Sequence, residues 1–236
     1  MKKIVVSLVA FSLFGCAEMQ QVMDQLPQGT GVLSQAEIGS GLKEALNNGI
    51  TKQVSKLTAT DGFYRNEAVK IFLPEELKVV DKKLRQIGLS KLADEGLKVI
   101  NRAAEDAVKE ATPIFVDAVK QMSFNDAKNI LLGNDSSATN YLQNTTSTSL
   151  QAKFTPVIQN SYTRVGADKI WSEIITKYNS LPLVKKVNPN LTEYTTSKAM
   201  EGVFKMIAVE EKDIRTNLNA RSSDLLKKVF ALQDKK

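Results

Sequence analysis

From residue 34 onward, apolar positions recur every three or four residues, the spacing of one face of an α-helix. The first stripe runs Ile38, Leu42, Ala45, Leu46, Ile50, Val54 and Leu57. Ser34-Gln35-Ala36-Glu37 precedes it in the order of a capping box, in which serine oxygen and glutamate carboxylate each accept from the other's backbone N–H. Asp61-Gly62 predicts the turn that ends this element. Pro74 suits the first position of the next helix, where no N–H is needed, and Leu77, Val80, Leu84 and Ile87 make its face. A longer pattern starts near Ser90 with Leu92, Leu97, Ile100, Ala104, Ala107 and Ala111. Pro113 falls inside it and predicts a kink or break, because proline lacks the N–H of the helical ladder. Phe115, Val116, Val119 and Met122 continue the stripe beyond.

Ser123-Phe124-Asn125-Asp126 predicts a fresh N-cap, and Gly133-Asn134 a stop. A helix over Ser136 to Ala152 follows, and Pro156 predicts the start of another with Val157, Ile158, Tyr162 and Val165. After Gly166 come Ile170, Trp171, Ile174, Ile175 and Tyr178. The stretch 181–190, LPLVKKVNPN, holds two prolines and is the clearest loop and the one internal boundary the sequence suggests. Asn190 caps a helix with Tyr194, Val203, Phe204, Ile207 and Ile214, and Ser222 or Ser223 caps a last one through Leu225, Leu226, Val229 and Phe230. No strand pairs or repeats interrupt this reading. The expected fold is all-α: a single multi-helix domain over residues 34–232 with about eight to ten amphipathic helices.

Ahead of the helices the chain changes character. Lys2 and Lys3 precede an apolar run, Ile4 to Phe14, broken only by Ser7 and Ser12. The run is shorter than the roughly 20 apolar residues of a membrane-spanning helix and reads as a secretory signal peptide over residues 1–15. Leu13-Phe14-Gly15-Cys16 resembles the bacterial lipoprotein box. That resemblance implies cleavage before Cys16, a diacylglycerol on its sulfur and an acyl chain on the new amino group. Phe14 departs from the small or β-branched residue usual at its position. A buried methylene contributes about 0.8 kcal/mol and one chain anchors only marginally, so two or three chains are needed to hold firmly. Ala17, not aspartate, follows the cysteine, which resembles lipoproteins forwarded to the outer membrane. Residues 16–33 are Gln-rich with Pro27, Gly29 and Gly31 and read as a lipidated tether. Such a tether of about 18 residues reaches at most roughly 60 Å extended and about 25 Å as a coil.

Several separate stretches resemble one family. They are Thr60 to Phe63 (TDGF), Ala68 to Leu77 (AVKIFLPEEL), Asn101 to Ala107 (NRAAEDA), Lys177 to Pro182 (KYNSLP) and Asp224 to Phe230 (DLLKKVF). In this order they are similar to a bacterial family of uncharacterised secreted proteins and lipoproteins, domain of unknown function 4197. The resemblance runs from about Leu33 to Phe230 and implies an all-helical domain, with no activity or catalytic residues attached. Phe72 stands where the family pattern has proline, a departure expected to loosen that turn.

The composition closes several chemistries. With no histidine, the commonest general base, the Ser-His and Cys-His nucleophile pairs and the commonest zinc ligand are missing. Cys16 is the only cysteine, and acylation would remove its thiol from chemistry and from disulfides. No glycine-rich phosphate loop is present, and no cofactor or metal site is expected. Net charge is +6, or about +4 without Lys2 and Lys3, and lysine alternates with glutamate rather than forming the basic stripe of a nucleic-acid binder. Gly133 to Tyr141 (GNDSSATNY) offers oxygens for a hard cation but lacks the central glycine and closing glutamate of an EF-hand, so it reads as a helix-capping loop.

Two polar interruptions of the apolar stripes remain as candidates: Asn101, Arg102 and Glu105 in one helix, and Glu210, Glu211 and Arg215 in another. Either they pair within and between helices, Glu211 with Arg215 at i,i+4, or they converge on one pocket where an arginine holds an anion. Phe154, Tyr162, Trp171 and Tyr178 cluster in one stretch, as core packing or as an aromatic groove for a lipid, peptide or glycan. The leading expectation is a non-enzymatic binding or envelope-assembly factor, held by its lipid at the periplasmic face of the outer membrane and serving an envelope protein partner. A carrier would instead show a cavity lined by residues such as Phe115, Trp171 and Phe204. A carboxylate-dependent envelope hydrolase would set Glu105, Glu210 or Glu211 across a cleft from another acid.

Overall fold

The computed structural model describes residues 33–86, 88, 90–180, 186 and 190–234. Nine α-helices run through them: α1 (Gln35–Thr58), α2 (Glu75–Gln86), α3 (Ser90–Val108), α4 (Ala111–Gln121), α5 (Phe124–Leu132), α6 (Ser137–Val165), α7 (Ala167–Asn179), α8 (Leu191–Thr216) and α9 (Asp224–Phe230), with a 3₁₀ turn at Leu218–Ala220. The fold is all-α, with no strand among the described residues. Cys16, the stretches expected to be a signal peptide and a tether up to residue 32, and most of the 181–190 loop lie outside them.

Local side-chain caps set four of the helix starts. The Ser34 hydroxyl accepts from the Glu37 N–H at 3.2 Å, and the Glu37 carboxylate accepts from the Ser34 N–H at 2.8 Å. Ser123 and Asp126 repeat this reciprocal cap on α5. Asn190 caps α8 by accepting from the Thr192 N–H, and Ser223 caps α9 by accepting from Leu226. Gly166, with φ of 68°, ends α6 in the left-handed conformation.

Two prolines act differently from expectation. The break predicted at Pro113 lies upstream: α3 ends at Val108, Lys109 and Glu110 form a tight turn, and Pro113 is the third residue of α4. A helix's first N–H groups have no intrahelical acceptor, so proline costs little there. At Pro156 no new helix begins, and α6 runs unbroken through it. Pro156 and Ala152, whose carbonyl loses its partner, are both exposed, so solvent can satisfy that oxygen. Fully buried Phe154 and Ile158 hold the helix on either side.

Helix α8 lies at the centre, against α1, α3 and α6. On its other sides α1 meets α4, α5 and α9, while α2 rests on α3 and α7 on α6. One continuous set of buried apolar side chains reaches from Leu33 to Phe230, including residues before and after the 181–190 loop. Within it Phe115 of α4 meets Phe204 of α8 edge to face, with centroids 5.9 Å apart.

Candidate functional site

The segment between α1 and α2 has no regular secondary structure over most of its length, so its backbone groups need partners from elsewhere. Asn101, fully buried on α3, supplies two of them. Its side-chain oxygen accepts from the Ile71 N–H at 2.8 Å, and its amide nitrogen donates to the Ile71 carbonyl at 2.8 Å and to that of Leu97. The amide thus takes the place of a neighbouring strand. One turn on, Glu105 accepts from the N–H groups of Phe63 and Tyr64 at 3.1 and 3.4 Å. Arg102 donates to Glu105 at 2.5 Å and to Asp61 at 2.7 Å. Its hydrogen bond to Glu105 holds the guanidinium charge more firmly than usual. Phe72, where looseness was expected, follows a residue clamped on both backbone groups. Its own carbonyl accepts from the Tyr194 hydroxyl at 2.8 Å.

The second set does different work. Ser136 precedes α6 without making a side-chain cap. Glu211 of α8 supplies one instead: its carboxylate accepts from the Ala138 and Thr139 N–H groups and from the Thr139 hydroxyl, each at 2.8 Å. Arg215, four residues on, donates to Glu211 at 2.9 Å and to the Ile130 and Leu131 carbonyls at 2.7 and 3.3 Å. Those carbonyls lie in the last turn of α5. The pair therefore sets a negative charge on the N-terminus of α6 and a positive one on the C-terminus of α5, as both helix dipoles favour. Glu210 turns to α1, accepting from Gln53 at 2.5 Å and Lys52 at 2.6 Å.

The six candidates thus occupy separate stations and do not converge on one pocket. Asn101, Arg102 and Glu105 grip the α1–α2 segment, Glu211 and Arg215 the α5–α6 corner, and Glu210 joins α8 to α1. Glu210, Glu211 and Arg215 do border one small recess, of about 30 Å³, whose other walls are largely apolar, among them Leu42, Ile50, Ile207, Ile214 and Phe230. That is room for about one water. Glu105, Glu210 and Glu211 face main-chain donors, a glutamine, a threonine hydroxyl and cations rather than a second acid.

The described members of the aromatic cluster are interior and line no open groove. Phe154 is fully buried, and Tyr162 and Trp171 nearly so. The Tyr162 hydroxyl meets the Thr195 hydroxyl of α8 at 2.5 Å, and burial pushes its phenol pKa well up. Trp171 of α7 lies over Gly96 of α3 so closely that a Cβ there would come within 2.6 Å of the ring. The side chain of Tyr178 lies outside the described residues. Phe115 and Phe204, which a carrier would need around an internal cavity, meet edge to face. Phe204 also borders an open cleft of about 550 Å³ whose other walls are mostly polar, with Gln143, Gln151 and Glu193 among them. In the 133–141 loop, the Asn134 side-chain oxygen accepts from Ser136 and Ser137, the arrangement of a capping turn. Among the described residues no group of acidic side chains is placed to hold a metal ion, and no helix is long and apolar enough to cross a membrane.

The sequence pattern of a family described as proteins of unknown function, DUF4197, matches residues 32–231. The chain belongs to that family. No curated protein matches it, and neither does any solved structure. The first clamp of this DUF4197 protein lies inside the matched residues, with Asn101, Arg102 and Glu105 holding Asp61, Phe63 and Ile71. The sequence reading passed over three further polar anchors of the DUF4197 fold. Arg221, 2% exposed, donates to the Ile214 and Arg215 carbonyls at the end of α8 and to both carboxylate oxygens of Asp234. Asp106 gathers Lys109, Ser161 and Arg164 between α3 and α6. Gln53 interrupts the apolar face of α1 to meet Glu210. A polar residue inside an otherwise apolar stripe was the available signal for Gln53; Arg221 sits in a loop and gave none.

Proposed function

We propose that the chain is a non-enzymatic binding or envelope-assembly factor, held through lipid on Cys16 at the periplasmic face of the outer membrane. One observation carries the non-enzymatic part. The buried carboxylates that could have served as acid or base spend their oxygens on main-chain N–H groups and neighbouring cations. General acid–base work needs a positioned group free to exchange a proton with a substrate. A carrier would need a roomy apolar interior. The recess with the most apolar walls holds about 30 Å³. The larger clefts, of about 550 and 510 Å³, are open surface grooves bordered by polar side chains such as Gln143, Gln151, Glu193, Asp117 and Lys153. What remains for function is the outer surface, with its grooves between helices. The anchor is supported by Lys2 and Lys3, the short apolar run, Gly15 before Cys16 and Ala17 after it.

Two measurements test this reading. Metabolic labelling with a clickable fatty-acid analogue is expected to mark the wild-type chain and to miss Cys16→Ser, which should leave the membrane fraction. An unlabelled wild-type chain would remove the anchor. Glu211→Gln is expected to lower stability and leave envelope phenotypes intact wherever the protein still accumulates. Loss of function at full abundance would restore the carboxylate to chemistry.

A further inference from the structure

We propose that the groove between the 66–74 segment and the first half of α8 docks an extended acidic peptide bearing an apolar side chain. This deepens the binding role proposed above and rests on it, though not on the anchor. The groove encloses about 260 Å³ between Lys70, Phe72, Tyr194, Lys198 and Lys205, with Glu201 at one side. Three lysines against one glutamate leave the lining two positive charges in excess. Lys198 is paired with Glu201 at 2.6 Å, whereas Lys70 and Lys205 make no ion pair among the described residues. The Lys70 ammonium instead lies 4.7 Å from the Tyr64 ring centroid and 5.7 Å from that of Phe72.

Phe72 is 53% exposed, the one phenylalanine among the described large apolar residues left so open. A single exposed apolar side chain is ordinary on a protein surface. Here it stands on a rigid support. Asn101 holds the backbone of Ile71 on both sides, and Tyr194 holds the Phe72 carbonyl. Behind them, Gly202 lets the segment approach α8: a Cβ there would come within 2.7 Å of the Phe63 ring. A preorganised surface spares a partner the cost of ordering it on binding. The fixed aromatic offers apolar contact, and the lysines draw carboxylates and exclude basic segments.

Geometry favours a peptide over the anchoring bilayer. The groove is concave, whereas a bilayer presents a broad surface. It also lies beyond the C-terminal end of α1, while residue 33, leading from the tether, joins at the N-terminal end. The 24 residues of α1 set these ends about 36 Å apart.

Fluorescence anisotropy of the full chain with a labelled glutamate–leucine peptide tests the site, alongside a matched glutamine–leucine peptide and phosphatidylglycerol vesicles. The acidic peptide is expected to bind, more weakly as salt rises. Lys70→Glu with Lys205→Glu should weaken it roughly tenfold, and Phe72→Ser comparably. These are surface positions, so thermal melts should stay near wild type. Equal binding of the glutamine peptide, or no effect of the variants, overturns the proposal. Vesicle binding that the variants abolish, without peptide binding, overturns it in favour of a membrane patch. A photo-crosslinker at Phe72 and another at exposed Val165 separate the two levels in cells. Protein adducts from Val165 alone sink the groove and keep the binding role; adducts from neither sink both.

Discussion

A carboxylate taken out of water costs several kcal/mol unless its oxygens are met, which decides how Glu105, Glu210 and Glu211 are to be read. Each reaches a partner more than 40 residues away along the chain. The same logic governs Asn101. Replacing it with alanine strands the Ile71 N–H and carbonyl, each buried group costing about 1–3 kcal/mol. Asn101→Ala should therefore lower urea-denaturation stability by roughly 2–4 kcal/mol. The conservative Asn101→Asp should also destabilise, because a carboxylate cannot donate to the Ile71 and Leu97 carbonyls. Gly202→Ala should cost about 1–3 kcal/mol by pushing a methyl group into the Phe63 ring. A thermal melt unchanged by it would show that the ring has room to move.

Among elements, what was legible follows from the range of the forces involved. Caps depend on residues three apart, so Ser34 with Glu37 and Ser123 with Asp126 could be read directly from the chain. Each serine-to-alanine change should cost about 1 kcal/mol, measured by chemical denaturation. Proline was harder, because its effect depends on which face of the helix it occupies and how near it lies to the first turn. Pro113 is harmless in the first turn of α4, and Pro156 is tolerated on the wet side of α6. The polar candidates were legible as residue types breaking apolar stripes. Their partners were not: Glu211 and Thr139 stand 72 residues apart, and only the folded arrangement of α8 against the α5–α6 corner joins them. Likewise the aromatics from Phe154 to Tyr178 announced a cluster, but that Tyr162 and Trp171 face inward depended on α8 and α3 passing beneath them.

At the scale of the whole molecule, acid should loosen the fold through carboxylates that folding holds low: the capping Glu37 and Asp126, and the ion-paired Asp106 and Asp234. Partial burial would raise the Asp106 carboxyl, but Lys109, Ser161 and Arg164 together hold it below its usual range. Asp234 is lowered chiefly by its hydrogen bonds from Arg221. A pKa depressed by folding gives stability that is present above the unfolded value, about 4, and is lost as pH falls through the folded value. Stability should thus be level from neutral pH to about 5 as far as these groups contribute, then fall below about 4. Asp106→Asn should lower stability at pH 7 and flatten that fall; an unchanged slope in denaturation midpoints between pH 5 and 3 would count against it. At this scale, too, the lysine excess lies toward the end of α1 opposite residue 33, which is why the proposed binding role is sought on the outer surface.

That division of labour, buried polar groups for architecture and exposed ones for recognition, is tested most directly at Glu211 and Arg215. The measurement is a double-mutant cycle of Glu211→Ala and Arg215→Ala by urea denaturation of the full chain. Each single change should cost about 3–5 kcal/mol, since it leaves the other charge buried alone. The double change should cost less than their sum by more than about 1 kcal/mol. Single changes within about 0.5 kcal/mol of wild type, as for ordinary surface positions, would contradict the account.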